Sequence, residues 1–463
     1  MVLKSRCLLL IVYGCLFKYL VFAQTNPNLI IYLADDQNQL DYGCYGNPLV
    51  QTSAVDRLSK EGMLFENAYV AQAICAPSRS MLYTGMYPLK NGCYANHTAV
   101  KPNVKSITYY LKKAGYNVIL SGKSHVKPNS VFNWSKYVPF NEKPQFNFER
   151  FKQIIHDTKQ PYCLIIASEL PHGPYPKSSD YNGKTLFKLP YESKNSTFNK
   201  AGYYQNIEDD NNLLAQVLNI LEASPTENNT LFVYASDHGI TRKWSLYEPG
   251  LRVPLIVKWP KVIDSNTRSD VRVSLMDILP TFLDVAGQEI PKDIDGKSFY
   301  SVLKGNNKQI HEYLYAVSTR QNVRGAQVFP SRSVRDKRYK YIKNFNAYER
   351  LSENLGDNSN INAFIKRGAE AFKYKPYEEL YDLNNDPYEK NNLAAVAKYS
   401  TIKNKLSKQL DLWMINQDDI LLQSKMPILK ANQHPLDKKT RWNKIPDHLV
   451  NTLNETDYLQ NHY

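Results

Sequence analysis

The feature that most constrains the fold of this chain is a series of short apolar runs that alternate with helical patterns. The first run is Asn28–Ala34, and similar runs follow at 116–121, 162–167, 231–236 and 255–259. Helical patterns lie between them, for example at 53–62, 106–114 and 208–223. A run that is apolar at every position is typical of a parallel strand buried on both faces. The alternation therefore predicts an α/β fold with a large, mostly parallel sheet and helices on both faces.

Polar side chains follow four of these predicted strands, close to the point where each strand ends. In chain order they are Asp35 with Asp36, Lys123 with His125, His172, and Asp237 with His238. The carboxyl ends of parallel strands meet at one edge of a sheet, which is where ligands bind in such folds. The sequence therefore predicts that these side chains form a single site.

The pattern changes after about residue 310. Short strands are predicted at 331–334 and 339–344, followed by the segment 379–383, a turn at 384–387 and a helix at about 392–416. The tail from Lys425 is rich in Lys, Pro and Asn and is predicted to wrap the surface. We therefore expect an N-terminal domain at 24–310 and a C-terminal subdomain at 311–463 that contains a small antiparallel sheet.

The N-terminus has the pattern of a secretory signal peptide, predicted at 1–23. Lys4 and Arg6 precede a short apolar run, and small residues end at Ala23. Lys18 interrupts the run, and no later stretch reaches about 18 unbroken apolar residues, so no membrane span is expected. An exported protein is the prediction, periplasmic or secreted, or lysosomal in type if the source is a eukaryote.

Removal of the signal peptide would leave four cysteines, Cys44, Cys75, Cys93 and Cys163. Four cysteines in an exported chain could form two disulfides, and their spacing does not match a zinc site.

The formal net charge of +14 favours anionic partners. Nucleic acid, acidic lipid and a polyanionic polysaccharide are all compatible with it, as is a merely solvated lysine-rich surface. No zinc-finger, bZIP or RNA-recognition signature is present in the sequence, so nucleic acid is not an expected partner.

One local motif carries more information than the charge. Residues 75–79 read Cys-Ala-Pro-Ser-Arg, and Thr84-Gly85 follow. In isolation this could be a buried cysteine at a helix start, with proline in the first turn. Together with the strand-end clusters, however, the motif resembles that of the type I sulfatases of the alkaline phosphatase superfamily. The resemblance runs from about residue 28 to 394 and also rests on the segments at 34–36, 122–123, 171–172, 237–239, 250–254 and 379–383.

The resemblance implies that a separate enzyme oxidises Cys75 to formylglycine. That partner would be a formylglycine-generating enzyme or an anaerobic sulfatase-maturating enzyme. One hydroxyl of the aldehyde hydrate would attack sulfur and the other would later expel sulfate, which is covalent catalysis. Calcium would be held by Asp35, Asp36, Asp237 and the oxygen at position 75. His238 stands where the family has Asn or His, and nitrogen is an unusual calcium ligand.

The family match also assigns cationic groups around the sulfate. Arg79 and Lys123 would lie near the hydrate and the sulfate, and His125 would steady the hydrate. His172 and Lys243 would contact sulfate, and one of them would protonate the leaving group. Each of these residues, taken alone, could equally be an ordinary surface or core residue.

The segment at 122–126, with Pro128, is similar to the branch that contains N-sulfoglucosamine sulfohydrolase, although His238 stands where that branch commonly has Asn. The implied substrate is a sulfated oligosaccharide or polysaccharide, with N-sulfated glycosaminoglycans and O-sulfated polysaccharides such as ulvan both open. His97, Arg332 and Arg335 are candidate sugar contacts by position, and a surface salt bridge is the alternative for them.

Two other functions remain open at this point. A phosphonate or phosphate monoester hydrolase of the same superfamily could carry the same nucleophile. A non-catalytic polysaccharide-binding relative would fit the charge, but such proteins usually lose the nucleophile or metal ligands. This chain keeps both sets, namely Cys75 with Arg79, and Asp35, Asp36 and Asp237.

Overall fold

The computed structural model describes residues 26–139, 146–156, 160–186, 198–320, 329–349, 369–423, 425–429 and 458–462. The predicted signal peptide lies outside these residues, and so does most of the tail that was predicted to wrap the surface.

A nine-stranded sheet forms the centre of the molecule. Its strands are β1 (Asn28–Ala34), β2 (Met63–Tyr69), β3 (Asn117–Gly122), β4 (Lys136–Val138), β5 (Tyr162–Ala167), β6 (Thr230–Ser236), β7 (Arg252–Lys258), β8 (Thr267–Ser269) and β9 (Val273–Ser274). They are arranged in the order β4-β3-β5-β1-β6-β7-β2-β8, with β9 also beside β2. Every pair is parallel except the two pairs that involve β7. The predicted mostly parallel sheet is confirmed.

Strand β7 corrects one detail, because its apolar run was expected to be another parallel strand. It runs antiparallel to both β6 and β2. A parallel partner requires a crossover, usually a long helix, that returns the chain to the opposite edge. Between β6 and β7 the chain instead forms a loop and the four-residue helix Glu248–Leu251. The loop therefore stays at the carboxyl edge of the sheet, and the chain runs straight back from it.

Helices cover both faces of this sheet, as predicted. They are α1 (Ser53–Glu61), α2 (Cys75–Thr84), α3 (Pro88–Asn91), α4 (Ile107–Lys113), α5 (Phe148–His156), α6 (Lys200–Glu222), α7 (Glu248–Leu251), α8 (Ile278–Val285), α9 (Tyr300–Leu303) and α10 (Ser400–Asn416). Alternate residues of β1 belong to two different hydrophobic clusters, because successive side chains of a strand point to opposite faces. Leu29, Ile31 and Leu33 pack in the cluster of α2, α4 and α8, whereas Ile30 and Tyr32 pack in that of α1, α5 and α6.

Two helices differ from their predicted lengths. Helix α6 begins eight residues earlier than expected, capped by the Asn199 side chain, which accepts from the Gly202 amide. The helix predicted from 392 begins only at Ser400. The side chain of Asn392 accepts from the amides of Leu380 and Ala394 instead, which fixes this segment as a turn beside the sheet.

The predicted small antiparallel sheet is also confirmed. It comprises β10 (Leu314–Ser318), β11 (Ser331–Arg335), β12 (Tyr339–Asn344) and β13 (Glu378–Asp382), paired in that order. Leu406 and Leu410 of α10 lie in the same hydrophobic cluster as Val334 of β11 and Leu255 of β7. The two sheets therefore share one continuous core. A separate pair, β14 (Lys425–Leu429) and β15 (Tyr458–His462), is antiparallel.

All four cysteines within the described ranges have free thiols, so the two disulfides considered from the sequence do not form. In the same part of the chain, no helix combines the length and apolar character needed to cross a bilayer.

Candidate active site

Three buried carboxylates meet at the carboxyl edge of the large sheet. Strands β1 and β6 are neighbours in register, with Ala34 opposite Ser236, so the residues that follow them emerge side by side. The Asp237 amide donates to the Ala34 carbonyl over 3.0 Å, and the Asp36 amide donates to Asp237 Oδ1 over 3.1 Å. Asp35, Asp36 and Asp237 are each only 1% exposed. Water therefore does little to screen their mutual repulsion, and nearby positive charges must offset this repulsion.

The predicted nucleophile lies against these acids. Helix α2 begins at Cys75, and the Cys75 Sγ lies 3.2 Å from His238 Nε2 and 3.8 Å from Asp36 Oδ1. Ligand atoms of Asp35, Cys75 and Asp237 all lie within 4.8 Å of one another. Arg79 follows one turn later on the same side of the helix, because residues four apart share a face.

Each carboxylate faces at least one cation. Arg79 Nε lies 2.9 Å from Asp237 Oδ2, and another nitrogen of the same guanidinium lies 3.4 Å from Asp35 Oδ1. Lys123 Nζ contacts Asp35 Oδ2. Lys243 Nζ lies 2.7 Å from Asp36 Oδ2. His238 Nε2 lies 3.0 Å from Asp36 and 3.8 Å from Asp237 and links the two groups of pairs, so the acids and cations form one continuous network.

These pairs control the charge of the acids. Burial alone would raise the pKa of Asp36, but Lys243 and His238 lower it below the ordinary value. Burial would likewise raise the pKa of Asp237, and His238 and Arg79 lower it instead. Both groups are therefore ionised at neutral pH.

Two histidines turn the same ring nitrogen to the site. In each ring Nδ1 contacts a carbonyl oxygen, that of Gly239 at 3.1 Å for His238 and that of Gly173 at 2.7 Å for His172. A carbonyl only accepts, so Nδ1 carries the proton in both. His238 Nε2 lies 3.0 Å from Asp36 Oδ1, and His172 Nε2 lies 3.5 Å from Asp36 Oδ2. The His238 side chain is fully buried, whereas that of His172 is 42% exposed.

The surroundings of His238 and His125 shift the pKa values of these two histidines in opposite directions. Burial would lower the pKa of His238, but Asp237, Cys75 and Asp36 raise it to about 9. Burial and the neighbouring Lys123 lower the pKa of His125 well below its ordinary value. His125 Nε2 lies 2.9 Å from His97 Nδ1. His125 is therefore neutral at pH 7 and is held in place by His97.

The donor set fits a hard divalent cation. Three carboxylates supply the oxygen ligands that calcium and magnesium prefer. Asp35 Oδ1 is buried and accepts no hydrogen bond among the described residues, which leaves a lone pair directed into the cluster. His238 Nε2 would bind a metal only in the neutral ring. A metal would replace the proton that its raised pKa retains.

A cleft of about 740 Å³ opens beside this cluster. Asp35, Lys123 and His172 of the site line it, together with Phe148, Glu169 and Asp209 among others. A volume in this range suits a small ligand or part of an oligosaccharide.

The predicted site residues assemble, whereas two of the three predicted sugar contacts do not fit. The sequence-predicted residues that lie together are Asp35, Asp36, Cys75, Arg79, Lys123, His125, His172, Asp237, His238 and Lys243, and His97 adjoins them through His125.

Arg332 and Arg335 correct the prediction of sugar contacts. Arg332 is fully buried, with Nε 2.6 Å from Asp419 Oδ2. Arg335 is 7% exposed and lies 3.0 Å from Glu248 Oε2. Its guanidinium also lies over the Tyr69 ring. Both guanidinium groups are used in buried ion pairs within the protein. The alternative prediction, a surface salt bridge, is wrong for these two arginines because their ion pairs are buried.

Sequence reasoning missed Asn206 of α6. Its side-chain amide donates to the carbonyls of Pro171, His172 and Pro174 at 3.3 to 3.4 Å, so it holds the loop that carries His172. The available signal was a polar residue on a helix face that otherwise buries Tyr203, Ile207 and Leu214, because a buried amide requires partners.

The mostly parallel sheet, with its acids and cations gathered at one edge, is the arrangement that the sequence resemblance to the alkaline phosphatase superfamily implies for a hydrolase. The Sulfatase family profile matches residues 27–288, and the profile described as N-sulphoglucosamine sulphohydrolase, C-terminal, matches residues 236–364. The chain belongs to the sulfatase family and is a sulfatase.

Known proteins resemble it along most of its length. An "Ulvan-active sulfatase" of Formosa agariphila is 46% identical over 448 residues, covering 94% of this chain and 90% of that protein. A solved 2-O GAG sulfatase matches with a TM-score of 0.69 at 22% identity and covers 91% of this chain and 98% of its own. The phosphonate monoester hydrolase of Agrobacterium radiobacter matches with a TM-score of 0.67 at 18% identity, covering 86% and 98%. The fold alone therefore does not separate sulfur from phosphorus chemistry.

Proposed function

We propose that this sulfatase removes sulfate from ulvan-derived oligosaccharides by means of a formylglycine at position 75 and a bound calcium ion. One observation carries the proposal. The buried Cys75 lies against three carboxylates and their cations in a chain that is 46% identical, over nearly its whole length, to an ulvan-active sulfatase.

Calcium would be held by the acids, and formylglycine would be formed from Cys75 itself. Asp35, Asp36, Asp237 and His238 would bind calcium, which neutralises sulfate oxygens and lowers the pKa of a neighbouring hydroxyl when bound. The formylglycine hydrate would supply the oxygen nucleophile.

Residues of the chain itself would bind the sulfate and move protons. Arg79, Lys123 and Lys243 border the acids and supply positive charge for the sulfate oxygens and the transition state. His172 is the half-exposed histidine with Nε2 turned inward, so it is positioned to protonate the leaving oxygen. His125 stays neutral, and its buried Nδ1 has no hydrogen-bond partner among the described residues, so this ring could steady the hydrate by a hydrogen bond.

The position of Cys75 has a consequence for its modification. Cys75 is 2% exposed and begins a helix whose residues are all buried. A maturation enzyme therefore has to reach it before the chain finishes folding. We propose that this happens before or during export, which the predicted signal peptide would direct to the periplasm or the cell exterior.

The test is sulfate release, measured by ion chromatography, from ulvan, heparin, chondroitin and carrageenan oligosaccharides. The chain is produced together with a maturation enzyme, and Cys75→Ala is compared with Cys44→Ala, because Cys44 is a free thiol outside the site. We expect release from ulvan oligosaccharides by the wild type and by Cys44→Ala, and none by Cys75→Ala.

Two results would contradict the proposal. One is binding of the oligosaccharides without any sulfate release, which would indicate a non-catalytic polysaccharide-binding protein. The other is a higher kcat/KM on an aryl phosphate or phosphonate than on the matched aryl sulfate, which would indicate a phosphoryl hydrolase.

A further inference from the structure

Three cations gather at the side of the site that faces the small sheet. We call Arg242, Arg320 and Lys375 the basic rim. Arg242 and Lys375 lie against the same ring, 5.3 and 4.6 Å from the Tyr247 centroid. The Lys375 Nζ also lies 2.9 Å from the Tyr247 hydroxyl oxygen. The two side chains therefore meet although they are 133 positions apart in the sequence.

Arg320 joins them through a second pair of rings. Its Cζ lies 4.6 Å from the Phe372 centroid, and Lys375 Nζ lies 5.9 Å from the Phe329 centroid. The Phe329 and Phe372 rings are in contact, with centroids 4.7 Å apart. Aromatic faces can hold cations in place without neutralising them.

The basic rim borders the loops that build the active site. Arg242 directly precedes Lys243, which pairs with Asp36. Next to Arg320, the Thr319 hydroxyl donates to the Tyr94 carbonyl over 2.9 Å and the Ser318 hydroxyl donates to the Trp244 carbonyl over 2.7 Å. The Trp244 amide in turn donates to the carbonyl of Ala73, two residues before Cys75. These contacts place the rim beside the loops that carry Lys243 and Cys75.

Among the residues that the structure describes, acids do not balance the positive charge of the rim. Within the described residues the acid paired with it is Glu379, whose Oε1 lies 3.3 Å from Lys375 Nζ. Neither Arg242 nor Arg320 forms an ion pair in the described part of the chain. Burial lowers the pKa of Lys375, Glu379 opposes this, and repulsion from Arg320 and Arg242 adds to it. Over the described ranges, three cations and one acid leave an excess of about two positive charges that an anion would stabilise.

The cleft beside the acids, which the rim residues do not line, carries exposed acidic side chains. Glu169 and Asp209 line the cleft on the side of β5 and α6, and both are exposed. A second anionic group on the substrate would be repelled by these acids and attracted to the basic rim, so the two charges together favour one orientation.

We propose that the basic rim binds a second anionic group, a carboxylate or a sulfate, on the saccharide whose sulfate is removed beside position 75. The inference rests on the proposed function and adds a requirement to it. The preferred substrate carries a negative charge on the sugar unit next to the one that is desulfated, and Arg242, Arg320 and Lys375 determine that preference.

The experiment compares matched substrates rather than absolute rates. A sulfated oligosaccharide with a uronate carboxylate is measured beside the same oligosaccharide after reduction of its carboxyl group to an alcohol, and kcat/KM is determined for each. A third oligosaccharide, with a sulfate in place of that carboxylate, separates the two kinds of anion. The variants are Arg320→Gln, Lys375→Gln and Arg242→Gln, and the control is Arg268→Gln, an exposed arginine on β8.

We expect Arg320→Gln and Lys375→Gln each to lower the ratio of kcat/KM for the anionic over the reduced substrate by about 10-fold, because each removes a charge-assisted contact. The wild-type ratio should also fall as ionic strength rises. Arg268→Gln should keep the wild-type ratio. Arg242→Gln, whose side chain is exposed, should lower the ratio without affecting the packing of the rim.

A ratio that is unchanged in all three rim variants, or that falls equally in Arg268→Gln, overturns the inference while leaving the proposed function intact. The proposed function itself fails if the wild type releases no sulfate from any of the substrates, and the inference then fails with it.

Discussion

The buried pair between Arg332 and Asp419 gives a prediction that separates structure from function at a residue first expected to contact sugar. Both side chains have no exposed surface, and two nitrogens of Arg332 contact Asp419 at 2.6 and 3.0 Å. The pair connects β11 to the segment that follows α10. Arg332→Met would preserve much of the side-chain volume but leave the Asp419 carboxylate buried without its cation.

Breaking a buried ion pair on one side costs about 3–5 kcal/mol. For a cooperative chain of 463 residues, the entropy of unfolding is roughly 1 kcal mol⁻¹ K⁻¹, so the melting temperature should fall by about 3–5 °C. Arg332→Met combined with Asp419→Asn should recover part of this loss. The amide removes the uncompensated charge and can still accept from the Leu421 amide, as Asp419 does.

The assay is thermal unfolding followed by tryptophan fluorescence, together with kcat/KM on a sulfated oligosaccharide below the transition. We expect the single variant to melt earlier and to keep its kcat/KM within about twofold of the wild type, because the pair lies inside the protein. An unchanged melting temperature with a raised KM would refute this reasoning and restore Arg332 as a sugar contact.

Three further predictions concern the site and a buried acid behind it. Mass spectrometry of the peptide that contains residue 75 should show a mass about 18 Da below that of unmodified cysteine, and an unmodified thiol in fully active protein would contradict the proposed nucleophile. Removal of divalent ions with a chelator should abolish sulfate release, and added calcium should restore it. Calcium should also raise the melting temperature of the wild type but not that of Asp237→Asn. An equal rise in the variant would argue against Asp237 as a ligand. Burial raises the pKa of Asp210 to about 7, so the stability from its protonated form is complete below about pH 4 and is lost as pH rises through about 7. Thermal unfolding at pH 5 and pH 8 should therefore show a larger loss for the wild type than for Asp210→Asn, and an equal loss would contradict the assigned pKa.

The sequence predicted which residues form the site because most of them directly follow strands that can be recognised from their apolar runs. Asp35, Asp36 and Asp237 follow strands whose apolar runs are uninterrupted, so both the strands and their carboxyl ends were visible. Strand β2 was missed because Glu66 and Asn67 interrupt its apolar pattern. The structure has an irregularity between Phe65 and Ala68 there, where the register of its pairing with β7 shifts.

Tertiary contacts explain what the sequence did not reveal. An apolar run does not specify strand direction, so β7 was predicted to be parallel although it is antiparallel to its neighbours. Arg332 and Asp419 lie 87 positions apart, and no local pattern distinguishes an arginine in a buried pair from one that faces a sugar. The same holds for Arg320 and Lys375, which meet Arg242 only because the small sheet packs against the loops of the large one.

The single core that joins the two sheets limits how this enzyme could be redesigned. Exchanging the small sheet for that of another sulfatase, as if it were a detachable module, would cut through packed side chains such as Val334 and Leu255 and expose apolar surface on both halves. New substrate preference is reached more economically by changing side chains that line the cleft, where substitutions alter charge and shape without disturbing what holds the molecule together.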